Sequence, residues 1–124
     1  MVKFELEYVV NTTVKVLYPR LATPSGLSDW FADNVDLNGD VFTFYWEGSE
    51  QSAKILFQRR DKAIRLRWVE DEGEDVYFEF KIRVDELTNE VALIITDFAE
   101  EDELDDAREL WDKQIERFRR NLGI

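Results

Sequence analysis

Residues 75–86, "DVYFEFKIRVDE", restrict the fold more than any other stretch, because they alternate apolar and polar side chains without a break. Val76, Phe78, Phe80, Ile82 and Val84 share one side, and Tyr77, Glu79, Lys81 and Arg83 the other. Successive side chains of a strand point to opposite faces, so the pattern predicts a strand with one buried and one wetted face. A sheet built from such strands must have its apolar face covered. The chain has one long cover to offer, "DELDDARELWDKQIERFRRNLGI" at its end. There Leu104, Ala107, Leu110, Trp111, Ile115, Phe118 and Leu122 recur at helical spacing. Acids crowd its start and Arg117, Arg119 and Arg120 its end, the order that the helix dipole favours. Gly123 is placed to stop it.

The other segments fit the same plan. "VKFELEYVVN" sets Phe4, Leu6, Tyr8 and Val10 against Lys3, Glu5 and Glu7, again at period two. Asn11 or Thr12 is then placed to cap a short helix, "TTVKVLYPRL", which Pro19 should end or bend. A second short helix starts at Thr23 with Pro24 in its first position and carries Leu27, Trp30 and Phe31 on one face. Asn38-Gly39 reads as the central pair of a hairpin turn, since both residues tolerate positive φ. Beyond it Phe42, Phe44 and Trp46, then Ala53, Ile55 and Phe57, then Ile64, Leu66 and Trp68 fall on inward positions of successive strands. "EVALIITDF" is apolar almost throughout, so its register stays open. The short polar turns between these runs suit an antiparallel meander. The expectation is an α+β fold: six to seven antiparallel strands curved around a long C-terminal helix, with two short helices after strand 1. At 124 residues, residues 1–124 are expected to make one domain.

Composition removes whole classes of function. The net charge of −12 opposes binding to nucleic acid or to an anionic membrane surface, since both need a cationic footprint. With neither Cys nor His, nucleophilic triads and zinc sites built on those residues are excluded. No run approaches the roughly 20 apolar residues of a membrane span. "MVKFELEYVV" alternates where a signal peptide would be uniformly apolar, so a cytoplasmic location is expected.

Layout and corner motifs together resemble the helix-grip, or START-like, superfamily (also grouped as SRPBCC or Bet v 1-like). The nearer branch holds the Hsp90-ATPase-activator homologues and small START-like proteins of bacteria. The residues that carry the resemblance are "TPSGLSDWFAD", "YFEFKI" with "VDELT", and "LIITDFAEEDELDDARELWDKQIERF". It implies a curved sheet gripping the last helix, with a space between them that many relatives use for an apolar ligand. It implies no shared catalytic residue, and no cofactor is expected. The Hsp90-activator likeness implies an alternative, a protein-interaction module working through the outer sheet or the exposed flank of the last helix, with a filled core.

The aromatic set bears on that choice. By period, Trp30, Phe44, Trp46, Phe57, Trp68, Phe78, Phe80, Trp111 and Phe118 all point to one interior. Each buries about 150–250 Å², so nine could fill it. Rings on two curved surfaces seldom mesh fully, and the reading is of a mostly filled interior with a small residual pocket near the second helix. Its candidate lining is Trp30, Phe31, Phe44, Trp46, Phe57, Trp68, Phe78, Phe80, Trp111 and Ile115.

Three charged constellations have plainer explanations. Asp97, at the entry to the last helix, has the place of a general base but more simply bonds backbone amides. Asp36, Asn38, Asp40 and Glu47 fall in the register of a calcium loop, yet Val41 stands where that loop needs Gly. Arg59, Arg60, Lys62, Arg65 and Arg67 read as a solvated sheet face with cross-strand pairs to acids such as Glu79, rather than as an anion site. No catalytic or metal-binding residue is assigned.

Overall fold

The structure, a computed structural model of residues 1–124, is a curved seven-stranded antiparallel sheet closed on one side by helices. In chain order the elements are β1 (Val2–Val10), α1 (Val14–Ala22), α2 (Pro24–Ser28), β2 (Asn34–Asn38), β3 (Val41–Trp46), β4 (Ser49–Arg59), β5 (Ala63–Trp68), β6 (Phe78–Val84), β7 (Val91–Ala99) and α3 (Leu104–Leu122). Short 3₁₀ turns at Val69–Asp71 and Glu101–Glu103 precede β6 and α3. The sheet order is β1-β7-β6-β5-β4-β3-β2. Strands β2 to β7 thus form a meander, and β1 adds beside β7 at the far edge. The chain crosses from one edge to the other through α1 and α2, which pack under the sheet next to α3. No helix is long and apolar enough to cross a membrane.

Local sequence explains most boundaries, and three expectations need correcting. The α1 cap is Thr13, whose side chain accepts from the Val16 amide, not Asn11 or Thr12. Of the two outcomes expected of Pro19, ending or bending α1, the first is excluded, since α1 runs on to Ala22. The amide that proline lacks would have served the carbonyl of Lys15, and both residues lie on the exposed side, where that carbonyl is open to solvent. Thr23 then caps α2 by accepting from the Gly26 amide, with Pro24 in the first position. But α2 stops at Ser28, so Trp30 and Phe31 sit in the turn that follows it rather than on the helix. The β2–β3 hairpin turns on Gly39-Asp40, because Asn38 still pairs with Val41; positive φ is needed at Gly39 alone.

The largest correction is in β4. Its pairing with β5 slips between Ile55 and Phe57, so that Leu56 is an extra residue in a bulge. Beyond the bulge the faces exchange. Phe57 pairs with Arg65 on the outer side and is 47% exposed, while Gln58 takes the inward position and donates to the Tyr18 hydroxyl. Phe57 is therefore no part of the interior. In β7, Val91, Leu93, Ile95, Asp97 and Ala99 pair with inward-facing β1 residues, which settles the open register. Ile94 and Thr96 are buried on the opposite face as well, and this is why the run shows no clean alternation.

Helix α3 lies on the sheet through Trp111, Ile115 and Phe118, all buried, with Leu104, Ala107 and Leu122 partly so. Polar bonds fix its azimuth: the Tyr8 hydroxyl donates to Asp112 at 2.6 Å, and Arg119 donates to the Val9 carbonyl at 2.7 Å. Leu110, expected on the apolar stripe, is 61% exposed.

Candidate functional site

The adjacent rings of Trp30 and Phe31 divide the interior into a filled half and an open one. Trp30 is fully buried, and its Nε1 donates to the Arg20 carbonyl at 2.8 Å. Its ring meets Phe31, Phe80 and Phe118 at centroid distances between 5.4 and 5.6 Å. It ties α1, β6 and α3 together. Phe31 lies among Phe44, Phe78, Phe80 and Trp111, and its carbonyl accepts from Trp46 Nε1 at 3.0 Å. It forms the floor of a groove.

That groove lies between the open end of the sheet and α3 and has a volume of about 400 Å³. Rings make most of its wall: Phe31, Trp46, Trp68, Phe78 and Trp111, with Leu110 at the rim. Trp68 stacks on Phe78 at 4.8 Å, and Phe31 on Trp111 at 5.9 Å. Ser49, Gln51, Asp97 and Gln114 complete the lining. The space has a local cause. Ser49 pairs with Trp46, Gln51 with Phe44 and Ala53 with Phe42, so the inward positions along β4 are short or polar opposite large rings. Nothing bulky rises from β4 to fill the volume.

Asp97 is held in the wall by two hydrogen bonds. Its Oδ2 accepts from Trp111 Nε1 at 2.9 Å and its Oδ1 from the Phe98 amide at 2.8 Å. Burial pushes its carboxyl above the ordinary carboxylate range; the two bonds pull the other way, and the charge of nearby Asp71 adds to the rise. Asp97 thus joins β7 to α3, and it is the one ionisable group lining the groove. A smaller recess of about 220 Å³ adjoins it, sharing Trp68 and Asp97 and lined also by Met1 and Asp71.

The structure brings together five of the ten residues expected from the sequence. Phe31, Trp46, Trp68, Phe78 and Trp111 line the groove. Trp30, Phe44, Phe80 and Ile115 are core residues behind it, each no more than 1% exposed. Phe57 lies outside. Ser49, Gln51, Leu110 and Gln114 were missed, although carrying the β4 alternation back from Ala53 places Gln51 and Ser49 on the inner face. Elsewhere Arg65 pairs with the buried Glu79 at 2.6 Å and lies over the Tyr77 ring, and Arg67 donates to the Val76 carbonyl. Of the residues in the calcium-loop register, Asp36, Asn38 and Asp40 lie along the β2–β3 hairpin and Glu47 in the turn after β3, and Asp40 faces Lys54 at 3.9 Å.

The comparisons with known proteins agree with this architecture. The chain is similar to BfR322 from Bacteroides fragilis, solved in solution, at 42% identity over 98% of this chain and 91% of that one, with a TM-score of 0.71. It shares its fold with the Aha1 dimer from Colwellia psychrerythraea, at 16% identity, 93% and 91% coverage and a TM-score of 0.77. The AHSA1-like protein from Aeromonas hydrophila has the same fold, at 10% identity, 98% and 92% coverage and a TM-score of 0.78. A search of curated proteins finds no match. The model of the START-like superfamily domain matches residues 1–124, and the chain belongs to that superfamily.

Proposed function

We propose that the domain binds a small, largely apolar ligand in the groove between the sheet and α3, and that it does so without catalysis. One observation carries this reading: an open volume of about 400 Å³ walled by five aromatic rings, inside the usual range of small-molecule sites. Rings left partly exposed, as Trp46 and Trp68 are, cost hydrophobic free energy that an occupant would recover. The polar groups of the lining are few, and Gln51 and Asp97 among them are held by hydrogen bonds, which suits orientation of a ligand more than chemistry. Asp97, the only acid in the wall, already accepts two hydrogen bonds and has no second ionisable group in the lining to exchange a proton with.

Native mass spectrometry of protein taken rapidly from cells tests this. The expected result is an adduct of small-molecule mass that disappears on denaturation. It should also be lost when Leu110, at the exposed rim, is replaced by Trp to block the entrance. A bare mass from the unmodified protein, with no response of Trp fluorescence to small aromatic compounds, contradicts the reading.

A second reading, a protein-interaction module, has an observation of its own. The β4 bulge puts Leu56 and Phe57 on the outer sheet face, 38% and 47% exposed. A recess of about 230 Å³ beside them is lined by Val41, Lys54, Leu56, Arg67, Trp68, Val69 and Glu72. Apolar groups among cations fit an acidic, amphipathic protein segment. Capture of such a partner that is lost on Phe57→Ser, with the groove variants unaffected, would favour this face over the groove.

A further inference from the structure

The charge distribution around the groove narrows the class of its occupant. An amphiphile with a carboxylate head would need a cation in the wall, yet neither Lys nor Arg lines the groove. Arg67 is committed to the Val76 carbonyl, and Arg108 lies over the Phe4 ring. Met1 lines the adjoining recess rather than the groove. The charges that do act on the groove are negative. Asp97 stands in its wall, Asp71 is close enough to disturb Asp97, and Gln51 at the rim donates to Glu70 at 2.8 Å. The net charge of −12 adds a field of the same sign over the whole molecule.

The geometry of the wall points the same way. Aromatic faces carry negative quadrupoles and attract organic cations, most strongly where water is excluded and where the ring is Trp. Three of the chain's four Trp residues, Trp46, Trp68 and Trp111, line this one groove, with Phe31 and Phe78 between them. A carboxylate has about four acceptor positions, and Asp97 uses two of them within the protein. None of the ion pairs of the structure involves Asp97, so no protein cation balances it. We propose that the groove takes a small organic cation, an aryl- or alkylammonium, seated on the Trp46, Trp68 and Trp111 rings and paired with Asp97. This rests on the groove being a ligand site, as proposed above.

The test uses three probes of matched size and shape: benzyltrimethylammonium, and the uncharged alcohol and the carboxylate built on the same benzyl-substituted quaternary-carbon skeleton. Isothermal titration of the full chain should show the ammonium binding at least about tenfold more tightly than either relative. Asp97→Asn should reduce that preference about tenfold, in protein whose thermal melting shows it folded. Leu110→Lys supplies a second variant at an exposed position that leaves the core intact. It should weaken the ammonium and strengthen the carboxylate. If the alcohol or the carboxylate binds as tightly as the ammonium, the cation assignment is overturned while the groove remains a ligand site. If none of the three binds, both proposals fall. Ammonium binding that neither variant alters would overturn the role given to Asp97 and place the cation elsewhere.

Discussion

Gly26 stands where α1 and α2 come together, and a β-carbon there would lie 2.1 Å from the Pro19 carbonyl oxygen and 2.6 Å from Arg20 Cα. Both neighbours are backbone, so neither can turn aside. Gly26→Ala should cost about 2 kcal/mol or more, read as a lower urea midpoint with unchanged slope. Unchanged stability would mean that the helices can separate freely. Asp97 gives a residue-scale prediction with a definite sign. Its folded-state pKa is raised above the ordinary 3.8, so between those values the folded protein holds a proton that the unfolded chain has lost. Asp97 therefore makes stability fall as pH rises from about 4 upward, and Asp97→Asn should remove that slope. Urea unfolding of both proteins across the range checks it; parallel curves would show that burial does not disfavour the charge. Neither feature was open to reading from the sequence alone. Glycine does not announce what lies against it, and period two gives the direction of a side chain but not its neighbours.

Strand β6 and helix α3 were legible because each repeats its apolar positions often enough to fix one face. Strand β4 was misread because its alternation is broken once. A bulge at Leu56 adds a single residue, reverses every later side chain, and has no marker such as Gly or Pro. The two rings that period alone treats alike should therefore behave differently. Phe57→Ala should cost less than about 1 kcal/mol, since the ring is half in water. Phe80→Ala, from a fully buried ring packed on Trp30 and Trp111, should cost about 3–5 kcal/mol. Equal losses in thermal or urea unfolding would mean that Phe57 is buried after all. The groove was half legible for a related reason. Its aromatic wall follows from strand alternation, but the opening comes from what β4 withholds at Ser49 and Gln51.

Over the whole molecule, 28 acids face 16 basic residues, and self-repulsion opposes the compact state. Added salt screens exposed charges over about 10 Å at 0.1 M, so the melting temperature should rise between low and moderate salt. A melting temperature independent of salt would show that local pairs such as Arg65–Glu79 already offset the excess. The same surplus of negative charge surrounds the groove and sets the class of ligand proposed for it. All of this depends on one arrangement, in which the sheet and α3 close tightly around Trp30 but leave a groove open beside Trp46, Trp68 and Trp111. Tryptophan indole N–H resonances report on the four positions separately. Titration of the full chain with benzyltrimethylammonium, followed by two-dimensional nitrogen–proton NMR, should shift the Trp46, Trp68 and Trp111 signals and leave Trp30 in place. Four signals that move together, or three that stay fixed while Trp30 shifts, would contradict the account.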